Sequence, residues 1–430
     1  MPNDQRIHRQ SATAKEEDSR NSVSATSRRG EPPSRRNAAE ESGSPQENRV
    51  SRQRVAIVHD WLNGMRGGEA VFEAILDLFP GADVFTLVCE PDQLSKKLRE
   101  KLAARKVHTS WLNRFAFTRK RYRQLLPLLP FTIRRFNLYP YDVVISSSHC
   151  VAKGVRKHPD AFHLSYIHAP MRYMWDRFDD YFGKGRINPV LRLIAKLLRP
   201  ALQSWDRASA QENNIDVLVA NSQFIAQEIK RFYGRESTVI YPFANFERFS
   251  RPRNRSGFYL MVGAFAPYKR VDLAIEAFAR MSLPLKIVGQ GQDAQRLLEL
   301  KEKLHAKNVE FLGSNVSNDQ IESLYSQCKA FIFPGKEDFG ITPLEAMAAG
   351  APVIAYGEGG ACETVTQETG ILFSPQTIDK LCESVMDIET GRKALSEVNC
   401  RARAQFFTQE RFKAEFVELY YSKLNENTSN

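Results

Sequence analysis

A chain of 430 residues, 42% of them hydrophobic, is long enough for two domains with their own cores, and no apolar run approaches the roughly 20 residues that a bilayer span needs. Six cysteines (Cys89, Cys150, Cys328, Cys362, Cys382 and Cys400) without a C-x-x-C pair speak against a zinc site or a disulfide framework and fit a reducing cytosol. The formal charge of +11 calls for an anionic partner: nucleic acid, a membrane surface or a nucleotide.

Residues 1–50 are rich in Ser, Arg, Glu, Asn and Pro and nearly free of large apolar side chains, so they read as a disordered tail. They have no apolar stretch for a secretory signal, and Asp4, Glu16, Glu17 and Asp18 argue against a transit peptide. The sequons at Asn315 and Asn427 therefore read as coincidence.

Folded sequence begins with the strand Arg54–Asp60, a loop with Gly64, Gly67 and Gly68, and a helical pattern from Ala70 to Leu78. Strand, glycine loop and helix open a doubly wound domain, whose ligand lies at the carboxyl ends of the strands. Glycine lets that ligand approach the backbone, although the full dinucleotide pattern G-x-G-x-x-G is missing.

From Trp111 to Phe136, Arg114, Arg119, Lys120, Arg121, Arg123, Arg134 and Arg135 alternate with phenylalanines and leucines. This pattern suits an anionic membrane surface, and equally a helical hairpin packed on its own domain. Leu191–Arg199 is a second such stretch. The strands Tyr141–Ser148 and Phe162–His168 bring His149 and His168 to the crevice end of the sheet, with Tyr173 and Trp175 as either an acceptor wall or core. Another strand, Asp216–Ser222, leads into a helix capped by Ser222, and Ser250–Gly257 has the composition of an inter-domain linker.

The alternation restarts at Phe258–Gly263, after which Lys269 and Arg270 can offset a diphosphate. Strands at Leu285–Gly289 and Val309–Gly313 follow, then Ala330–Pro334 and the stretch Lys336–Gly350. In that stretch Thr342 is the expected N-cap and Pro343 the first helical residue, so the amides there form an anion site flanked by Glu337 and Glu345. Carboxylates beside a phosphate site are suited to accept hydrogen bonds from sugar hydroxyls. A last aromatic pattern runs from Ala404 to Tyr421.

The spacing Glu337-x7-Glu345, with Phe339-Gly340 between, then Pro-Leu-Glu-Ala-Met-Ala-x-Gly and Pro-Val-Ile-Ala, resembles the signature of the retaining, nucleotide-sugar-dependent glycosyltransferases of family 4. This resemblance covers about Arg54 to Leu424 and implies the α/β GT-B fold, two facing Rossmann-like domains. It divides the chain into a tail (1–50), an acceptor domain (51–249), a nucleotide-sugar domain (250–403) and a helix (404–430) crossing back to the first domain. It also assigns the ribose to Glu345, the transferred sugar to Glu337, and sugar and diphosphate to the amides of Phe339, Gly340 and Ile341, beside Thr342. Gly67 and Gly68 would face the donor phosphates, and His168, Glu337 and Lys269 would form the transfer centre. The family usually has arginine at Ala264 and Pro and Asp at Phe243 and Asn245, which leaves open whether Arg270 replaces the missing arginine.

Val-Gly-Ala-x-x-Pro-Tyr-Lys-Arg-Val-Asp-Leu-Ala resembles bacterial mannosyltransferases of surface-polysaccharide assembly, which makes GDP-mannose the expected donor and a lipid-linked or oligosaccharide chain the expected acceptor. The nucleotide-sugar is then a substrate; no cofactor, no metal and no nucleic acid is expected, and the location is cytoplasmic, on the inner face of the plasma membrane. A dehydrogenase would need a full glycine fingerprint, and a nucleic-acid binder a recognisable module. A catalytically inactive sugar-nucleotide-binding partner of a polysaccharide assembly complex stays open as the rival.

Overall fold

The computed structural model describes residues 53–183, 187–244, 246, 249 and 255–429, except the side chains of 120–124, 428 and 429. The tail and most of the linker, with Asn245, lie outside the described residues. Two parallel sheets organise the rest. The first contains β1 (Val55–His59), β2 (Asp83–Thr86), β3 (Val107–Thr109), β4 (Val143–Ser148), β5 (Phe162–Ile167), β6 (Val217–Ala220) and β7 (Thr238–Val239), in the order β3-β2-β1-β4-β5-β6-β7. The second contains β8 (Tyr259–Val262), β9 (Leu285–Val288), β10 (Val309–Gly313), β11 (Phe331–Phe333), β12 (Val353–Tyr356) and β13 (Gly370–Phe373), in the order β10-β9-β8-β11-β12-β13.

The apolar runs of the sequence become central strands covered on both faces, as parallel sheets require. Along β1, Ala56 and Val58 enter one core and Ile57 the other; Val144 opposes Val143 and Ile145 in the same way. In the second sheet Phe331 and Phe333 face one core and Ile332 the other. Ile57 pairs with Ile145, and Ile145 with Leu164, so β1, β4 and β5 end side by side.

The helices that matter for the site are α1 (Gly67–Leu78), α2 (Pro189–Ser209), α3 (Gln223–Tyr233), α4 (Val271–Met281), α5 (Ile341–Ala348) and α6 (Gln409–Ser429). Helix α1 starts at Gly67, three residues before the predicted start at Ala70. Helix α6 starts five residues later than the aromatic pattern and runs on to Ser429: Phe407 lies in the second domain's core, and Phe412, Phe416, Tyr420 and Leu424, one every fourth residue, insert into the first domain's core. Lys413 Nζ ties the helix to Asp77 Oδ2 at 2.7 Å.

The two domains meet through polar contacts as well as packing. Ser222 Oγ donates to the Asp338 carbonyl at 2.6 Å. The Glu363 carboxylate accepts from the amides of Gln223 and Phe224 at 2.7 and 2.8 Å, placing a negative charge on the first turn of α3.

Between residues 111 and 136 there is no long hairpin. Short turns pass through Pro127, with Leu112, Leu126, Leu129 and Ile133 in the core, while Phe115, Phe117, Leu128 and Phe131 are exposed. On α2, Val190, Leu191, Leu193, Ile194 and Leu197 are exposed as well. Among the described residues, no helix is long and apolar enough to cross a membrane.

Candidate active site

The start of α5 differs from the predicted cap. Gly340, at φ 93°, is the N-cap residue, and Thr342 and Pro343 fall inside the first turn. Only glycine adopts that left-handed conformation without strain, and a Cβ there would also press on the Phe333 ring. Pro343 costs nothing at this position, because the first N–H groups of a helix lack acceptors within it. Phe339 is buried against Tyr241 and Phe407, which leaves its backbone, rather than its ring, to face a ligand.

Around this helix start stand the expected acids. Glu337 forms an ion pair with Lys269, and Glu345 Oε2 accepts from the Tyr325 hydroxyl at 2.9 Å. Gly335 allows the first of these contacts: a Cβ there would collide with the backbone of Tyr268 and Lys269. Arg270, next in the chain, has partners of its own. It takes the αL conformation before α4, and its guanidinium bonds Gln376 Oε1 at 2.9 Å and Asp272 Oδ1 at 3.3 Å. Asp272 and Gln376 thus engage the guanidinium whose replacement of the missing arginine the sequence left open.

Across the cleft, Gly67 packs so closely on the second domain that a Cβ would collide with Ile341 Cδ1, and a Cβ on Gly68 would touch the His168 imidazole at 3.7 Å. Gly67, Gly68, His168 and Ile341 are thus one neighbourhood built from both domains. Burial holds the His168 imidazole well below the usual histidine range, with His149, His59 and Arg172 adding to the effect. Its Nε2 lies 2.8 Å from Ser147 Oγ. Trp175 is core: its ring stacks on Phe232 and its Nε1 donates to buried Asp206 at 2.7 Å. Tyr173 packs edge-on against Tyr181.

Several site residues were missed by the sequence reading. Arg172 crosses from the first domain to an ion pair with Asp338, and Arg177 donates to the Lys336 carbonyl at 2.6 Å. Burial pushes the Asp338 carboxyl up, against the pull of Arg172. Two arginines just after the strand that carries His168 were the available signal. Asp60 is fully buried and accepts from the amides of His149, Cys150, Val151 and Ala152 at 2.6 to 3.0 Å. Beyond β8 to β10, a cavity of about 450 Å³ is lined by Phe265, Gly289, Gln290, Phe311, Gly313 and Asn315 among others.

The description "Glycosyl transferases group 1" matches residues 243–405, which hold Lys269, Glu337, α5 and Glu345. The chain carries a glycosyl transferases group 1 domain. Its curated relatives include the O-antigen chain mannosyltransferase C of Escherichia coli, 27% identical over 232 residues that cover 49% of this chain and 62% of that protein. Another is the GDP-mannose-dependent monoacylated alpha-(1-6)-phosphatidylinositol monomannoside mannosyltransferase of Corynebacterium glutamicum, 32% identical over 203 residues, 40% of this chain and 53% of that protein. The chain spans about half the length of the first curated relatives it matches.

Among solved structures, the sucrose-phosphate synthase of Thermosynechococcus elongatus superposes with a TM-score of 0.65 at 19% identity, covering 87% of this chain and 100% of that one. Anabaena Alr3699/HepE, solved with UDP and glucose, gives 0.62 at 18% identity, covering 86% and 100%. The fold is GT-B, and the glycosyl transferases group 1 domain is its second half.

Proposed function

We propose that the protein is a retaining hexosyltransferase of family 4 that moves mannose from GDP-mannose onto a lipid-linked or polysaccharide acceptor. The observation that carries the reading is the start of α5, with amides and a helix dipole facing Gly67, Gly68 and His168 and flanked by Lys269–Glu337 and by Glu345. A diphosphate on these amides directs the ribose to Glu345 and the hexose to Glu337 and His168, and the cavity by Phe265 and Phe311 has room for the base. Lys269, now neutralised by Glu337, turns to the phosphate as a sugar hydroxyl takes its place on the carboxylate.

In the transfer step the bond from the anomeric carbon to the phosphate oxygen breaks. A bond to the acceptor oxygen forms on the same face, and the acceptor's proton passes to the leaving phosphate. Fixed positive charge at the helix start and Lys269 stabilises that phosphate with no divalent metal. Names of relatives support the donor: two of those quoted are mannosyltransferases, one of them GDP-mannose-dependent. Anionic lipid is the proposed surface for the exposed Phe115, Phe117, Leu128 and Phe131 with their neighbouring arginines, on the inner face of the plasma membrane.

Thermal-shift screening against GDP-mannose, UDP-glucose and other nucleotide-sugars, followed by a donor-turnover assay, tests the reading. Stabilisation by GDP-mannose with turnover is expected. Stabilisation without turnover would favour an inactive binding partner, a reading that Ala264 and the engaged Arg270 support.

A further inference from the structure

We propose that Arg172 and Arg177, on the loop that follows the His168 strand, are positioning residues for Glu337: from the first domain they hold the two residues that flank it in the second. This role rests on the nucleotide-sugar reading above and extends it across the domain boundary.

Each arginine takes one neighbour of Glu337. Arg177 Nη2 donates to the Lys336 carbonyl at 2.6 Å, and Arg172 Nη2 forms an ion pair with the Asp338 carboxylate. Asp338 is held a second time from the first domain, because its carbonyl accepts from Ser222 Oγ at 2.6 Å. With the residues on both sides fixed, the two soft backbone dihedrals of Glu337 have little room to turn. Its carboxylate is then delivered to one place, where it meets Lys269.

The lysine side of that pair is gripped by the same two arginines. Tyr268 precedes Lys269 in the chain, and its ring centre lies 5.1 Å from Arg177 Cζ and 5.9 Å from Arg172 Cζ. A guanidinium stacks on an aromatic face while its fork makes hydrogen bonds, a combination that an ammonium group does not offer. Two side chains of the first domain thus touch both segments that carry the Lys269–Glu337 pair.

Their own domain orients one of the forks. Arg177 Nε lies 3.6 Å from Asp176 Oδ2, and its Nη1 lies 3.5 Å from Asp180 Oδ2. The side chains of Arg172, Arg177 and Asp338 are 20%, 14% and 21% exposed, so the contacts are made largely out of water. A charge that loses its partner there costs more than one at the surface. None of these contacts is needed by a nucleoside diphosphate alone, whose proposed partners, the α5 amides and Glu345, all belong to the second domain. The sugar, which falls to Glu337, does depend on them.

Kinetics of GDP release from GDP-mannose and calorimetry with GDP, both on the full chain, test the assignment. In Arg172→Met and in Asp338→Asn, kcat is expected to fall about 10-fold or more, the effect of a small misplacement of Glu337, while the Kd for GDP stays within about 2-fold. Because the two variants break one contact, the double variant is expected to be no slower than the slower single. Arg172→Lys is expected to recover part of the loss, and it carries the cycle with Asp338→Asn should Arg172→Met fail to fold. Unchanged kcat, a loss of GDP binding as large as the loss of kcat, or effects that multiply in the double variant would overturn the proposal. If the wild-type protein binds no nucleotide-sugar, or binds GDP-mannose without turnover, the functional reading itself falls. Amide hydrogen exchange over residues 336–339 then still tests the clamp: faster exchange is expected in Arg172→Met and Arg177→Met, and unchanged exchange would refute it.

Discussion

Glu337 and Glu345 occupy different surroundings, and their substitutions should read differently. Glu345→Gln keeps the shape beside Tyr325 but replaces a charged acceptor, at an expected cost of about 1.5–3 kcal/mol in donor binding by nucleotide-sugar titration. Glu337→Gln should weaken donor binding by a similar amount and also release Lys269 from its ion pair. Full turnover of either variant at limiting donor would remove that residue from the site. A second expectation concerns pH. Burial pushes the imidazoles of His59 and His163 down to about 3, so both fold as neutral groups. The unfolded chain binds their protons below about pH 6.5, so their contribution is complete above that pH and is lost as pH falls toward 3. Urea unfolding at pH 7.5 and 5.0 should differ by about 2 kcal/mol for each of them, and His163→Asn should flatten the difference. At this scale Glu337, Glu345 and His168 could be read from motif and strand ends. Asp60 and Arg172 could not, because their partners lie about 90 and 166 positions away along the chain.

At the level of elements, the strands were legible because two-faced burial writes continuous apolar runs. Caps were less so: Thr342 has the right chemistry for an N-cap, yet Gly340 wins because the chain turns there in a left-handed conformation against the Phe333 ring, a packing demand that local propensity does not carry. The segment from Trp111 to Phe136 shows the same limit. Its leucines and phenylalanines look alike in sequence, but Leu126 and Leu129 face inward while Phe115 and Phe131 are 61% and 74% exposed. Those exposed rings, flanked by Arg114, Arg134 and Arg135, should carry the protein to vesicles containing anionic lipid, with each cation worth about 1 kcal/mol at low salt. Reversing the three arginines to glutamate should abolish co-sedimentation; unchanged co-sedimentation would place the contact elsewhere, with the exposed stretch of α2 next to be tested.

For the whole molecule, the expectation is chemistry that runs on fixed charge. Transfer should persist in excess EDTA, because in the proposed function Lys269 and the α5 dipole take the leaving phosphate's charge, and the product should keep the donor's anomeric configuration by NMR coupling. Activity lost to EDTA and restored by magnesium would refute the first half; an inverted linkage would refute the second. Two doubly wound domains were legible from the repeated strand–helix alternation, and GT-B followed from the family resemblance of the Glu337–Glu345 stretch. The contacts that draw the halves together, such as Glu363 on the first turn of α3, were not, since nothing local distinguishes that glutamate from its exposed neighbours.

Helix α6 also bears on the order in which this molecule can be made. Phe412, Phe416, Tyr420 and Leu424 fill the same core as Ile57, Phe72 and Tyr166, so a domain made early in synthesis is completed by a segment made only after the whole second domain. A ribosome adding roughly 5–20 residues per second needs about ten seconds or more to get from β7 to α6. Throughout that interval the leading domain presents an open apolar groove, and the trailing domain must emerge and fold beside it before the groove is closed.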